Sequence, residues 1–86
     1  MDNTKKKLED IAEVLYKGDT TLGMSMMVDV IGDLGMIAGM IEDEDIRNRY
    51  VNDGLKQALE AMEVQDGTLL ADVITYELIE IINGLN

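Results

Sequence analysis

The hydrophobic residues of the chain recur with the period of an α-helix in four segments, and short polar stretches separate the segments. No segment alternates hydrophobic and polar residues as a half-buried β-strand does. The pattern predicts an all-α protein with helices at residues 4–17, 20–41, 44–64 and 68–83. Because the connections are only a few residues long, consecutive helices should run antiparallel. We expect an up-down four-helix bundle that forms a single domain over residues 1–86.

The second segment, residues 22–41, is the most hydrophobic part of the chain, and its only charged residues are Asp29 and Asp33. Placed on a helix, most of its residues divide among three faces. The first face has the spacing of a stripe that points to the core. It contains Met24, Met27, Val30, Ile31, Leu34, Ala38 and Ile41.

The second face of this helix consists mainly of small residues, with Ser25, Gly32, Gly35 and Gly39 beside Val28. A glycine inside a helix costs about 1 kcal/mol relative to alanine. We therefore expect a neighbouring helix to pack closely against Gly32, Gly35 and Gly39, because such packing would offset the cost.

The spacing of Gly35 and Gly39 also occurs where helices dimerise within membranes. However, an aspartate near the middle of a membrane-spanning helix costs about 3 kcal/mol, so Asp29 and Asp33 together would cost about 6 kcal/mol. Methionine, valine and interspersed glycine would barely cancel that cost. We therefore expect a soluble bundle that does not contact a membrane.

The third face of the helix is left near solvent if the first two are covered. It contains Leu22, Met26, Asp29, Asp33, Met36 and Met40. Exposed methionines suit an adaptable surface that receives an amphipathic helix of a partner. These six residues are our candidates for partner binding. The alternative is that this face is covered within the fold or by a second copy of the chain.

The first and fourth segments have clear core stripes. These are Leu8, Ile11, Ala12 and Leu15 in the first, and Leu70, Ile74, Leu78 and Ile81 in the fourth. Glu77 falls beside the fourth stripe, where a carboxylate is usually hydrogen-bonded or has a raised pKa. In the third segment, residues 52–54 (Asn-Asp-Gly) form a weak point that could kink or split the helix. Asp66 is a plausible cap of the fourth helix.

The fourth segment also carries a sequence motif. Residues 66–78 resemble an Asp-x-x-Leu-Leu-Ala-Asp-x-x-x-Tyr-Glu-Leu signature that is associated with a family of small all-helical bacterial proteins of unknown function. Residues 27–32 are similar to the first-hairpin pattern of that family, and the resemblance covers roughly residues 24–82. A proline often follows the signature, whereas Ile79 and Glu80 continue the helix here. The resemblance implies a helical fold and brings no activity with it.

The composition removes most enzyme chemistries. The chain has no histidine and no cysteine, which excludes the usual catalytic nucleophile pairs, zinc sites and the histidine ligands of di-iron bundles. No phosphate-binding glycine motif occurs. Residues 42–45 are all acidic, but Arg47 and Arg49 stand where a calcium loop needs oxygen ligands. We expect no metal, no cofactor and no enzymatic activity.

The net charge is −11, and no basic residue follows Lys56. Such a surface repels phosphate backbones, so we expect no direct binding of nucleic acid. It could attract a basic partner. The absence of cysteine fits a reducing compartment, and the lysines near the start precede no hydrophobic stretch typical of a secretion signal. We therefore expect a cytoplasmic protein.

Together these features predict a protein–protein interaction or adaptor module. The predicted partner is an amphipathic helix or a basic protein. One alternative is a structural homo-oligomer, because a chain of 86 residues has a thin margin of stability and an apolar fourth helix. Another is an acidic decoy or inhibitor that occupies the site of a basic nucleic-acid-binding protein.

Overall fold

A computed structural model describes residues 2–85, which form four helices and no strand. Helix α1 covers Asp2–Tyr16 and α2 covers Thr20–Met40. Helix α3 covers residues 44–63 and α4 covers residues 67–85, and each contains a short π-helical segment. The all-α, up-down four-helix arrangement predicted from the sequence is confirmed.

An aspartate begins each of the last three helices. Its side chain accepts a hydrogen bond from a backbone N–H in the first turn, which would otherwise have no partner within the helix. The pairs are Asp19 with Leu22, Asp43 with Ile46 and Asp66 with Leu69, at 3.0–3.2 Å. The acidic run at residues 42–45 therefore opens α3, and Asp66 caps α4 as predicted.

Helix α1 lies between α2 and α4, and α3 packs mainly against α4. The stripes predicted for the first and fourth helices are buried in the core. They comprise Leu8, Ile11, Ala12 and Leu15 of α1, with Leu70, Ile74, Leu78 and Ile81 of α4. Helix α2 packs chiefly against α1 and forms one edge of the bundle.

The π-helical segments of α3 and α4 are Tyr50–Leu55 and Ile74–Leu78, and they pack against each other. A Cβ atom added at Gly54 would lie 2.7 Å from Leu78 Cδ2, so a larger residue there would force the buried Leu78 side chain to shift. Helix α3 therefore does not split at residues 52–54. These residues form part of the wider π-helical turn, and the helix continues through them. A π-turn changes the rotation of the residues that follow. Accordingly Ala61 is buried, whereas Leu59 is 45% exposed.

Polar contacts tie α3 to both α4 and α2. The Arg49 guanidinium lies 3.1 Å from the Glu77 carboxylate, which explains the acidic residue beside the core stripe of α4. The Tyr50 hydroxyl donates a 2.8 Å hydrogen bond to the carbonyl of Leu34 in α2. Burial raises the pKa of Tyr50. This buried bond fixes α3 against the inner side of α2.

The buried side of α2 is a narrow seam whose members are alternately four and three residues apart, as in a coiled coil. It consists of Gly23, Met27, Val30, Leu34, Ile37 and the capping residue Ile41. A Cβ atom added at Gly23 would overlap the side chain of Leu15 in α1. Close packing of α2 on a glycine therefore occurs at Gly23.

The predicted close packing at Gly32, Gly35 and Gly39 is wrong. All three residues are exposed, and a Cβ atom added at any of them would meet no atom of residues 2–85 within 4 Å. The physical reason is the position of α2 at the edge of the bundle. Because α2 has one main neighbour, the narrow seam is sufficient for packing, and the small-residue face points outward.

Candidate partner-binding groove

A groove runs along the surface between α1 and α2, and two hollows lie along it. The first hollow, of about 310 Å³, is lined by Lys7, Asp10, Ile11, Met26, Asp29 and Val30. The second, of about 370 Å³, is lined by Asn3, Thr4, Lys7, Asp33, Met36, Ile37 and Met40. Lys7 lines both hollows, so they adjoin at this side chain. We call this feature the α1–α2 groove.

Five of the six residues proposed from the sequence as partner-binding candidates line this groove. Met26 and Asp29 line the first hollow, whereas Asp33, Met36 and Met40 line the second. The side chains of Met36 and Met40 are 70% and 58% exposed, respectively. The sixth candidate, Leu22, is 49% exposed and lines neither hollow.

The groove is acidic, because three aspartates and one lysine line it. The Lys7 ammonium lies 3.6 Å from the Asp33 carboxylate, and the Lys6 ammonium lies 3.3 Å from Asp10. Both pairs are well exposed, and exposed pairs contribute only about 0–1 kcal/mol. Asp29 forms no ion pair within residues 2–85. A cationic side chain brought by a partner would find Asp29 available.

The α1 side of the groove was missed by the sequence analysis, which assigned α1 only a core stripe. Asn3, Lys7 and Asp10 follow one another at four- and three-residue spacing, so they share a face of α1. That spacing was visible in the sequence, but it did not show that this face lies beside the methionines of α2.

A third hollow, of about 570 Å³, lies elsewhere, between α1 and α4. It is lined by Glu9, Ala12, Glu13, Tyr16, Lys17, Thr75 and Ile79. At its end the Tyr16 hydroxyl donates a 2.6 Å hydrogen bond to Asp72. This bond and partial desolvation raise the pKa of Tyr16. The Tyr16 hydroxyl already has a hydrogen-bond partner within the fold.

Within the described residues, α2 alone has the length and composition of a membrane-spanning helix. Its most hydrophobic window has a mean hydropathy of 1.4, and 28% of that window is buried. This property follows from length and composition only. The exposed Asp29, near the middle of α2, opposes insertion into a bilayer. The absence of membrane contact stays a prediction.

Comparison with known proteins places this helical architecture in a family of uncharacterised domains. The chain belongs to the family described as "Domain of unknown function (DUF8042)", whose model matches residues 1–86. No curated protein matches the chain, and no solved structure matches it either. The family assignment is consistent with the resemblance to an uncharacterised all-helical family and supplies no activity.

Proposed function

We propose that this protein is a protein–protein interaction module and that its α1–α2 groove receives an amphipathic helix of a partner protein. One observation carries the proposal: five of the six residues selected from the sequence line two adjoining hollows between α1 and α2. Their exposed methionines are flexible and polarisable, which suits a surface that adapts to a partner.

The dimensions of the groove fit a helix of moderate length. Met26 and Met40 are separated by 14 positions of one helix, which corresponds to about 21 Å at 1.5 Å per residue. A partner helix of about four turns would span this distance. Its hydrophobic side chains, spaced about seven residues apart, would enter the two hollows on either side of Lys7.

The charge of the groove favours a basic partner. Asp29 is available for a lysine or arginine, and the net charge of −11 attracts cationic helices from a distance. An incoming cation would also compete with Lys7 for Asp33, at little cost because their ion pair is exposed. We therefore take the partner to be a basic amphipathic helix.

A pull-down with wild type and with Met36→Lys/Met40→Lys tests the proposal. The substitutions place two cations in the second hollow, so recovery of the partner should fall strongly. Val64→Lys is the matched control, because Val64 is 71% exposed and lies outside both hollows. Circular dichroism should show that all variants are folded. Equal recovery by the double variant and the control would contradict the proposal.

A direct assay uses an amphipathic peptide of about 14 residues made of leucine and lysine, with a fluorescent label. Fluorescence anisotropy should report saturable binding to wild type and weaker binding to the double variant. Part of this affinity should persist at high salt, because hydrophobic contacts are not screened.

The second candidate function is an acidic decoy that occupies the site of a basic nucleic-acid-binding protein. The observation that favours it is the distribution of charge, with no basic residue after Lys56. Such binding would be lost at a few hundred millimolar salt and would be indifferent to the methionines of the groove. Salt dependence therefore separates the two candidates.

The remaining expectations are also proposals. We propose a non-enzymatic role, which is supported by the lack of histidine and cysteine, and a cytoplasmic location in bacteria. The lack of cysteine is compatible with a reducing compartment. The bacterial origin rests on the sequence signature of residues 66–78.

A further inference from the structure

The methionines of the described chain differ sharply in their exposure to solvent. Met36 and Met40, one helical turn apart in the second hollow of the α1–α2 groove, are 70% and 58% exposed. Met27 is fully buried in the core. The others within residues 2–85 are partly buried and packed against the core, and they are Met24, Met26 and Met62. A reagent in solution therefore reaches Met36 and Met40 first.

The composition leaves an oxidant few other side chains to attack. Cysteine thiolates react with peroxides, but the chain contains no cysteine. It also contains no histidine and no tryptophan. The thioether of methionine, which is soft and polarisable, is then the principal oxidisable group. Exposure and composition thus point to the same pair of side chains.

We propose that Met36 and Met40 form an oxidation site for hydroperoxides, and that their conversion to methionine sulfoxide makes the second hollow polar and prevents an amphipathic helix from binding there. In each reaction a lone pair of the sulfur attacks one oxygen of the peroxide, and the O–O bond breaks as the S–O bond forms. The sulfur loses two electrons. With hydrogen peroxide, the second oxygen takes up the proton of the transferred oxygen and leaves as water. One peroxide is consumed for each sulfoxide formed.

The surroundings of the pair suit a sulfoxide. The Lys7 ammonium and the Asn3 amide line the same hollow and are hydrogen-bond donors. A sulfoxide oxygen is a strong acceptor, whereas a thioether sulfur is a weak one. The ion pair between Lys7 and Asp33 is exposed, so the ammonium turns towards a new acceptor at little cost. A hydrophobic side chain of a partner would then have to displace a hydrated polar surface.

Oxidation of this pair spares the fold. The sulfoxides of Met36 and Met40 remain in contact with water, because both side chains are exposed. A sulfoxide at Met27 would instead place a polar group in the hydrophobic core, which is costly. Sulfoxides are reduced back to methionine by methionine sulfoxide reductases, and exposed sulfoxides are accessible to them. The modification therefore changes the groove reversibly while the helices stay folded.

Oxidation with hydrogen peroxide, followed by proteolysis and tandem mass spectrometry, tests the site in the full chain. Met36 and Met40 should each gain one oxygen atom about tenfold or more faster than Met27. Circular dichroism should be unchanged when both sulfoxides have formed. Equal rates at the three positions, or loss of helix on oxidation of the exposed pair, would overturn the inference.

Binding of the leucine–lysine peptide tests the consequence, which rests on the proposed function. Oxidation should weaken binding to wild type by about tenfold or more, and treatment with the two reductases should restore it. Met36→Leu/Met40→Leu keeps a hydrophobic hollow of similar volume and should bind the peptide before and after peroxide. Met24→Leu/Met62→Leu is the matched control, because neither residue lines the groove. It should lose binding on oxidation as wild type does.

Hydrophobic-interaction chromatography of the folded chain gives a readout that needs no partner. Peroxide should shorten the retention of wild type and of the control, and it should change that of Met36→Leu/Met40→Leu far less. If the peptide fails to bind unoxidised wild type, the proposed function is contradicted, and the chromatographic shift still supports the oxidation site. Unchanged retention of oxidised wild type, or peptide binding that survives complete oxidation of both sulfurs, would overturn the inference.

Discussion

Two sets of helical glycines in this chain have opposite surroundings. Gly23 and Gly54 lie where two helices touch, and a Cβ atom at either would collide with a leucine of the neighbouring helix. Gly32, Gly35 and Gly39 lie on the outer side of α2, where a Cβ atom would meet nothing. The same residue type thus permits close packing in one region and, within residues 2–85, packs against nothing in the other. Substitution by alanine should lower the free energy of unfolding in the first set and raise it in the second.

The largest effect is expected at Gly23. Gly23→Ala inserts a methyl group against the buried Leu15, which must shift within a filled core. Overpacking of this kind costs about 1–3 kcal/mol, so we expect a net loss of about 2 kcal/mol. Urea unfolding followed by circular dichroism measures it. A variant as stable as wild type would show that the α1–α2 seam is looser than the structure indicates.

The opposite effect, a gain in stability, is expected for the glycines on the outer side of α2. Gly39→Ala removes a flexible residue from an exposed helical site and should stabilise the chain by about 1 kcal/mol. The measurement should use dilute protein, so that self-association does not contribute. A loss of stability there would mean that the site is covered in the monomer, and the contrast between the two sets would fail.

A substitution at Tyr50 tests the packing of α3 against the buried side of α2, because the Tyr50 hydroxyl donates a hydrogen bond to the Leu34 carbonyl. Tyr50→Phe removes this bond and should cost about 1 kcal/mol near neutral pH. Burial raises the pKa of Tyr50 above its unfolded value of about 10. The stability that depends on the neutral hydroxyl is therefore fully present below about pH 10 and is lost as the pH rises further.

Alkaline unfolding of the wild type should consequently be steeper than that of Tyr50→Phe. Tyr76→Phe provides the control, because Tyr76 is 64% exposed. Its unfolding curve above about pH 10 should follow the wild type. Identical alkaline curves for wild type and Tyr50→Phe would argue against a buried role for the hydroxyl.

The smallest effect is expected in the α1–α2 groove. Asp33→Asn removes the exposed ion pair with Lys7 and should cost no more than about 0.5 kcal/mol at low salt. Asp29→Asn also removes one negative charge but breaks no ion pair within residues 2–85. The difference in stability between the two variants therefore gives the contribution of the Lys7–Asp33 pair. The difference should vanish at high salt. A difference that persists at high salt would indicate a stronger structural role for Lys7.

The sequence by itself determined the four helices and most of their core stripes. Leu8, Ile11 and Leu15 repeat at helical spacing, and an aspartate precedes each of the last three helices. These signals are local, because hydrophobic spacing and caps act within a few residues. The six partner-binding candidates were also selected locally, and five of them line one groove. Their role in binding stays a prediction.

Met27, Val30, Leu34 and Ile41 lie on the face of α2 that the hydrophobic spacing assigned to the core, and they are buried. Tertiary structure alone decided that the small-residue face of α2 is left uncovered within residues 2–85. A helix that is hydrophobic on nearly every side does not show from its pattern alone how many of its faces have a neighbouring helix. The prediction of close packing at Gly32, Gly35 and Gly39 assumed two neighbouring helices, whereas α2 lies at an edge and packs chiefly against α1. The π-helical segments likewise lie where α3 and α4 meet, and Gly54 there approaches the side chain of Leu78. Such contacts join residues far apart in the chain, and local patterns do not encode them.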